Sequence, residues 1–310
     1  MTRLLSFLAA TTVLVVVGLL VLGSLLTAPV PRPAGAPPDD LKVEPVEFPS
    51  ESGSRVHGWF VNGAPGHGGV ILMHGVRANR TSMINRTRFL HTAGYSVLLF
   101  DFQAHGESPG DRITFGYLEA RDASAAARYL QLRLPDEPIA ALGTSLGGAA
   151  AVLGTEPLPV RALVLEAVYP TLKEAVTDRL ALRLGPIAPL LTPLLLAQVH
   201  LRLGFDPTET SPITAISRVR CPVLVIAGSA DQRTTLSESR RLFEAAPEPK
   251  ELWVVQGATH VDLYRFAGKE YENHVLPFFQ RYLPVNGRAD HCRRLRTFVN
   301  DALGLPSRVR

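Results

Sequence analysis

The chain has 310 residues, 46% of them hydrophobic and 19% charged, more than one α/β core needs. Its formal charge of +4 sits at one end, where seven arginines and two acidic residues lie between Arg281 and Arg310. No aromatic platform or recognisable module accompanies those arginines, which argues against nucleic-acid binding. The nine histidines are scattered and none forms a ligand pair with acidic neighbours, which argues against a metal site.

Leu4 to Leu26 carry no charge and are mostly Leu, Val, Ala and Phe. A helix of that length, at roughly 1.5 Å per residue, crosses a hydrocarbon core with some tilt. The run outlasts the apolar core of a cleavable signal and ends at Thr27-Ala28-Pro29 without an Ala-x-Ala site. Residues 1–28 therefore read as an uncleaved transmembrane anchor in contact with membrane lipid. Arg3 before the span, against Arg32 and Lys42 after it, is a weak orienting signal. A short cytoplasmic N-terminus, as in a signal anchor, places the rest on the extracytoplasmic side. Residues 29–40, with Pro29, Pro31, Pro33, Pro37 and Pro38, read as an extended spacer.

The body, 41–284, alternates apolar strands with amphipathic helices. Leu41 to Pro49 and Arg55 to Asn62 are expected to open it as antiparallel strands around Glu51-Ser52-Gly53-Ser54. A parallel set is expected at Gly69 to Met73, Ser96 to Asp101, Ile139 to Leu142, Ala162 to Leu165, Val223 to Ile226 and Glu251 to Val255. Thr81 to Ala93, Glu119 to Leu134, Leu236 to Ala245 and Tyr264 to Tyr282 are expected to cover it as helices. Cys221, at the start of a core strand, reads as buried and unpaired.

The first chemical signal follows the strand at Ile139. Gly143-Thr144-Ser145-Leu146-Gly147 leads into the small-residue run Gly148 to Leu153. Between a strand and a helix such a pentapeptide is a nucleophile elbow: the glycines make room for a sharp turn that presents the serine hydroxyl. An acid and a base should then follow later strands in that order. Asp231 comes directly after Val223 to Gly228, and His260 after Glu251 to Val255, with room for one helix and one strand between them. A serine hydroxyl needs a base to become nucleophilic at neutral pH; histidine is that base, and the aspartate fixes its tautomer. Glu166, at the end of its strand, is the main competing acid, and Asp262 a weaker one. Donors for an oxyanion are expected from the backbone of Leu146 and, after the strand ending at Met73, of Val76. His74 reads as an orienter of that loop, and Arg77-Ala78-Asn79-Arg80 as a stretch able to meet a polar or anionic substrate group.

With His74-Gly75, Asp101 to Ser108 (Asp-Phe-Gln-Ala-His-Gly-Glu-Ser), Gly228-Ser229-Ala230-Asp231 and Gly257-Ala258-Thr259-His260, these residues resemble an α/β-hydrolase. The similar branch holds serine aminopeptidases, monoglyceride lipases and membrane-tethered esterase-like proteins. The resemblance runs from Val43 to Leu283 and implies a mostly parallel eight-stranded sheet flanked by helices, with a helical lid insertion and no cofactor. Gln103 stands where such proteins often carry Arg, in a loop whose role is structural.

Tyr169 to Ile216 falls where this fold inserts its lid. The run Gly185 to Leu196 is apolar and broken by prolines, so short helices are expected. Their apolar face would line an acyl pocket or touch the bilayer. The basic tail, 285–310, reads as a solvated end or a contact for anionic headgroups, with Asp290 to Leu303 as a candidate amphipathic helix. The expected activity is serine hydrolysis of a small-molecule ester or lipid through an acyl-enzyme. A peptidase for small peptides and an inactive tethered binding protein are the alternatives, and the oligomeric state stays open.

Overall fold

The computed structural model describes residues 2–284. The basic tail, its candidate helix and Cys292 lie outside the described residues. Eight strands form one sheet: β1 (Val43–Pro49), β2 (Arg55–Val61), β3 (Gly69–Met73), β4 (Ser96–Phe100), β5 (Ile139–Thr144), β6 (Leu163–Glu166), β7 (Val223–Gly228) and β8 (Lys250–Val255). Their spatial order is β8-β7-β6-β5-β3-β4-β2-β1. β1 and β2 pair antiparallel, β2 runs antiparallel to β4, and every other pair is parallel. The central strands are buried on both faces, which explains their continuous apolar runs.

Helices α2 (Ile84–Thr92), α3 (Glu119–Arg133), α4 (Leu146–Leu153), α7 (Leu236–Ala245) and α8 (Lys269–Tyr282) cover the sheet. One core lies under α3 and α4 around Ile71, Phe100, Leu130 and Leu165. The other lies under α2 and α8 around Leu72, Leu99, Leu142 and Phe279. The helix expected from Tyr264 to Tyr282 is broken at Gly268, whose φ of 54° is left-handed, into Leu263–Ala267 and α8. Similarly, the helix expected from Thr81 begins as a 3₁₀ turn, Arg80–Met83, because the Asn79 side chain accepts from Thr81 N–H.

The lid comprises α5 (Leu172–Leu184) and α6 (Ala188–Leu203), folded back on each other at Gly185 and Pro186. Thr177 and Thr192 hydroxyls meet at 3.0 Å across this hairpin. The expectation of only short helices fails for α6, which runs 16 residues with Pro193 inside. Pro189 lies in its first turn, where a missing N–H costs nothing, and Pro193 forfeits only the bond to the Pro189 carbonyl.

The N-terminal run forms one helix, α1 (Thr2–Thr27), exposed along most of its length. Among the described residues two segments have the length and composition to cross a membrane, Arg3–Thr27 and Leu172–Leu203, the second folded back on itself as the lid hairpin. The stretch after α1 departs from a free spacer. Val30–Pro31 pairs parallel with His105–Gly106, the Val30 N–H donates to the Ala104 carbonyl at 2.8 Å, and Asn79 Nδ2 donates to the Arg32 carbonyl. Prolines keep this stretch extended, and an extended backbone can pair with an open edge.

Candidate active site

Ser145 stands between the last residue of β5 and the first of α4 with φ 51° and ψ −109°, a conformation costly for any residue with a Cβ. The turn is held from both sides. Ser145 N–H donates to the Glu166 carbonyl at 2.7 Å, and its own carbonyl accepts from Ala149 N–H at 2.9 Å. A Cβ on Gly147 would lie 2.3 Å from the Met73 carbonyl oxygen, and one on Gly143 would lie 2.5 Å from Gly147. Only glycine lets β3, β5 and α4 approach so closely. The Ser145 hydroxyl is buried and makes no hydrogen bond among the described residues.

β7 and β8 end side by side and bring the other two residues together. Their loops touch at Gly228, where a Cβ would lie 2.4 Å from the Ala258 carbonyl oxygen. Asp231 Oδ2 lies 2.7 Å from His260 Nδ1, while Oδ1 accepts from Arg233 N–H at 2.8 Å and Thr234 N–H at 3.0 Å. With Nδ1 directed to the carboxylate, His260 has Nε2 free for a proton from the nucleophile. His260, Ser145, Thr144 and Val76 line one cleft. Gly75 leaves space beside Ser145, whose Cβ would be 3.9 Å from a Cβ at Gly75, so the Val76 loop and the Leu146 turn flank the same hydroxyl.

The rival acids have other partners. Glu166 is fully buried and held by Arg86 at 2.6 Å and 3.0 Å, and by the Tyr271 hydroxyl. Asp262 pairs with the same arginine at 2.8 Å and caps the turn Leu263–Ala267. Burial and the Glu166 carboxylate push the Tyr271 phenol well above its ordinary value, keeping it a donor.

His74 links its own loop to the one that follows β4: Nδ1 lies 2.8 Å from the Gly75 carbonyl oxygen and Nε2 accepts from Phe102 N–H at 3.2 Å. The carbonyl requires a proton on Nδ1, so Nε2 is the acceptor and the ring is neutral. Burial, followed by the nearby His105, lowers its pKa to about 3. Gln103 donates from Nε2 to the Glu119 carboxylate and to the Arg112 carbonyl, both at 2.8 Å.

The Arg77-to-Arg80 stretch differs from the reading of a substrate contact. Arg80 is buried, ion-paired with Asp101 and Glu107, and stacked 4.7 Å over Trp59. Asn79 caps its turn, and Arg77 Nη1 donates to the Leu25 carbonyl of α1 at 3.1 Å. Arginines unforeseen from sequence, Arg179 of the lid and Arg233 after Asp231, border the cleft instead. Beside Ser145 an apolar cavity of about 260 Å³ opens between α1 and the lid. Among the described residues no three His, Cys, Asp or Glu side chains gather as a metal site would require.

Residues 64–215 match the family described as serine aminopeptidase, S33. The uncharacterized protein Rv2307c of Mycobacterium tuberculosis is 34% identical over 237 residues, spanning 74% of this chain and 78% of its own. The uncharacterized protein YqkD of Bacillus subtilis is 26% identical over 230 residues, covering 70% and 72%. Among solved structures, the esterase Pf2001 of Pyrococcus furiosus superposes with a TM-score of 0.67 at 24% identity, covering 83% of this chain and 97% of that one. An esterase of Exiguobacterium antarcticum superposes with a TM-score of 0.57 at 16% identity, covering 76% and 100%. At such identities the superpositions speak for the fold alone.

Proposed function

Because the chain belongs to the serine aminopeptidase (S33) family of α/β-hydrolases, we propose that it is a membrane-anchored serine hydrolase of carboxylic esters, including those of lipids. Ser145 attacks the ester carbonyl as His260 Nε2 takes its proton. Asp231 holds the imidazole and stabilises the imidazolium. The Leu146 and Val76 N–H groups receive the oxyanion, each such donor being worth about 3 kcal/mol in the transition state. His260 then returns the proton to the departing alkoxide, leaving an acyl-serine. A water molecule, deprotonated by the same histidine, releases the acid and restores Ser145.

One observation carries this reading: a strained, unpartnered serine hydroxyl shares a cleft with a histidine already bound to a buried aspartate. An ester is favoured over a peptide by the charges around it. An aminopeptidase needs a carboxylate for the substrate amine, yet Asp262, on the cleft, is paired with Arg86. Of the lid acids, Glu174 is bound by Arg241 and Asp178 faces Glu238. The guanidinium groups of Arg179 and Arg233 border the opening and disfavour a cationic substrate.

Support for a lipid comes from the apolar cavity and the lid surface. Leu182, Leu184, Ile187, Leu190, Leu194 and Leu201 are exposed on α5, α6 and the turn between them, apolar side chains suited to the interfacial region of a bilayer that α1 spans. Fluorophosphonate labelling of the full chain in detergent, beside Ser145→Ala and His260→Ala, tests the activated serine. Labelling of the unsubstituted protein and of neither variant supports the reading; its absence from the folded unsubstituted protein rejects it. Hydrolysis confined to acetyl and butyryl esters would remove the lipid part.

A further inference from the structure

The lid does not enclose the cavity beside Ser145 by itself. Leu22 and Leu26, from the last two turns of α1, form a wall opposite Leu172, Val176 and Leu180 of α5. The helix is fastened there by polar contacts. Gln198 Nε2 donates to the Leu19 carbonyl at 3.2 Å, Arg202 Nη2 to the Leu20 carbonyl at 2.8 Å, and Arg202 Nη1 to the Ser24 hydroxyl at 2.7 Å. Arg77, next to Val76, donates to the Leu25 carbonyl. A Cβ on Gly23 would lie 2.5 Å from Gln198 Oε1, so α1 and α6 are in direct contact at that point. Toward its N-terminus the same helix is exposed, its apolar side chains Leu14 and Val17 included.

A tether has no need of such docking. We infer that the C-terminal turns of α1 are a substrate-binding element, with Leu22 and Leu26 forming the wall that receives the acyl chain of a membrane lipid ester. The inference rests on the ester-hydrolase reading above and adds where the acyl chain lies. Its methylenes pass from the bilayer along α1, between that helix and α5, and place the carbonyl at Ser145. The walls of the cavity are apolar, so each methylene buried there adds to binding. Preference for long acyl groups is therefore written partly in the anchor, outside the hydrolase body.

The test uses the full chain in detergent micelles, with Leu22→Trp and Leu26→Trp to fill the cavity and Leu14→Trp as a lipid-facing control. The ratio of kcat/KM for a dodecanoyl ester to that for a butyryl ester is expected to fall at least ten-fold in the first two and to hold in the third. A ratio unchanged in all three overturns the inference, whether activity survives at both lengths or falls equally. A second readout needs no turnover. A fatty acid with a diazirine near its methyl end is expected to crosslink to Leu172 and Val176, and Leu22→Trp to abolish this while Leu14→Trp does not. Crosslinking that ignores Leu22→Trp overturns the acyl wall even in an active enzyme. Crosslinking that obeys it, in a protein that fluorophosphonate does not label, supports the wall and rejects the hydrolase.

Discussion

His260 Nδ1 lies 2.7 Å from Asp231 Oδ2, and the second oxygen of that carboxylate is occupied by two backbone N–H groups. The aspartate is thus fixed before it fixes the histidine. Asp231→Asn keeps the shape and loses the charge, and its amide can present a hydrogen to Nδ1, forcing the wrong tautomer. Its kcat for a butyryl ester should fall on the order of 10⁴-fold, with KM little changed. Steady-state kinetics of the purified variant check this.

Glu166 separates a structural acid from a catalytic one. It neutralises Arg86 in a fully buried site and accepts from Tyr271. Glu166→Gln leaves Arg86 only Asp262 for charge compensation. The expected loss is about 3 kcal/mol of stability, because breaking a buried pair strands its partner. Turnover per folded molecule should fall far less than in Asp231→Asn. Thermal unfolding and active-site titration together distinguish the two effects.

Gly147→Ala tests the elbow. The added methyl would sit 2.3 Å from the Met73 carbonyl oxygen and 2.8 Å from that of His74, both backbone atoms that cannot swing away. Displacing the His74 loop moves Val76 relative to Ser145, and a shift near 1 Å can cost on the order of 100-fold in kcat. The variant should keep its sheet, as read by circular dichroism, and lose most of its rate.

The lid should respond to pH through Asp178. Burial, and then the carboxylate of Glu238, raise its pKa from 3.8 to about 7, with Arg179 opposing and Glu174 assisting. The folded protein thus holds a proton that the unfolded chain has released. This contribution to stability is complete below about 3.8 and is lost as pH rises toward 7, then stays constant. Asp178→Asn should therefore gain stability relative to the unsubstituted protein between pH 4.5 and pH 8. Melting temperatures of both proteins at several pH values give the comparison.

Strands β3 to β8 and the placement of Ser145, Asp231 and His260 after three of them were legible because each has a local signature. Continuous apolar runs mark strands buried on both faces, and glycine marks the turns where backbones meet. The partners of Arg80 and Arg86 were not legible. Arg86 joins Glu166 and Tyr271 from elements 80 and 185 positions away, and no local pattern encodes such pairing. Arg80 looked like a substrate contact because sequence shows a charge beside the site and not the Asp101 beneath it. Likewise, an apolar helix and a proline-rich stretch read as anchor and spacer. Their docking depends on single polar groups, Gln198, Arg202 and Asn79, dispersed through the chain.

Gln198, Arg202 and Arg77 tie the Leu19, Leu20 and Leu25 carbonyls of the helix to the catalytic body at three points. On the proposed reading, with α1 spanning a bilayer, this attachment sets the height of Ser145 above the plane. For an anchored hydrolase of membrane lipid esters, as proposed, encounters occur in two dimensions, and supply is set by the mole fraction of substrate in the surface. Diluting the suspension with buffer would leave the rate per enzyme unchanged. Diluting the bilayer with inert lipid would lower it in proportion.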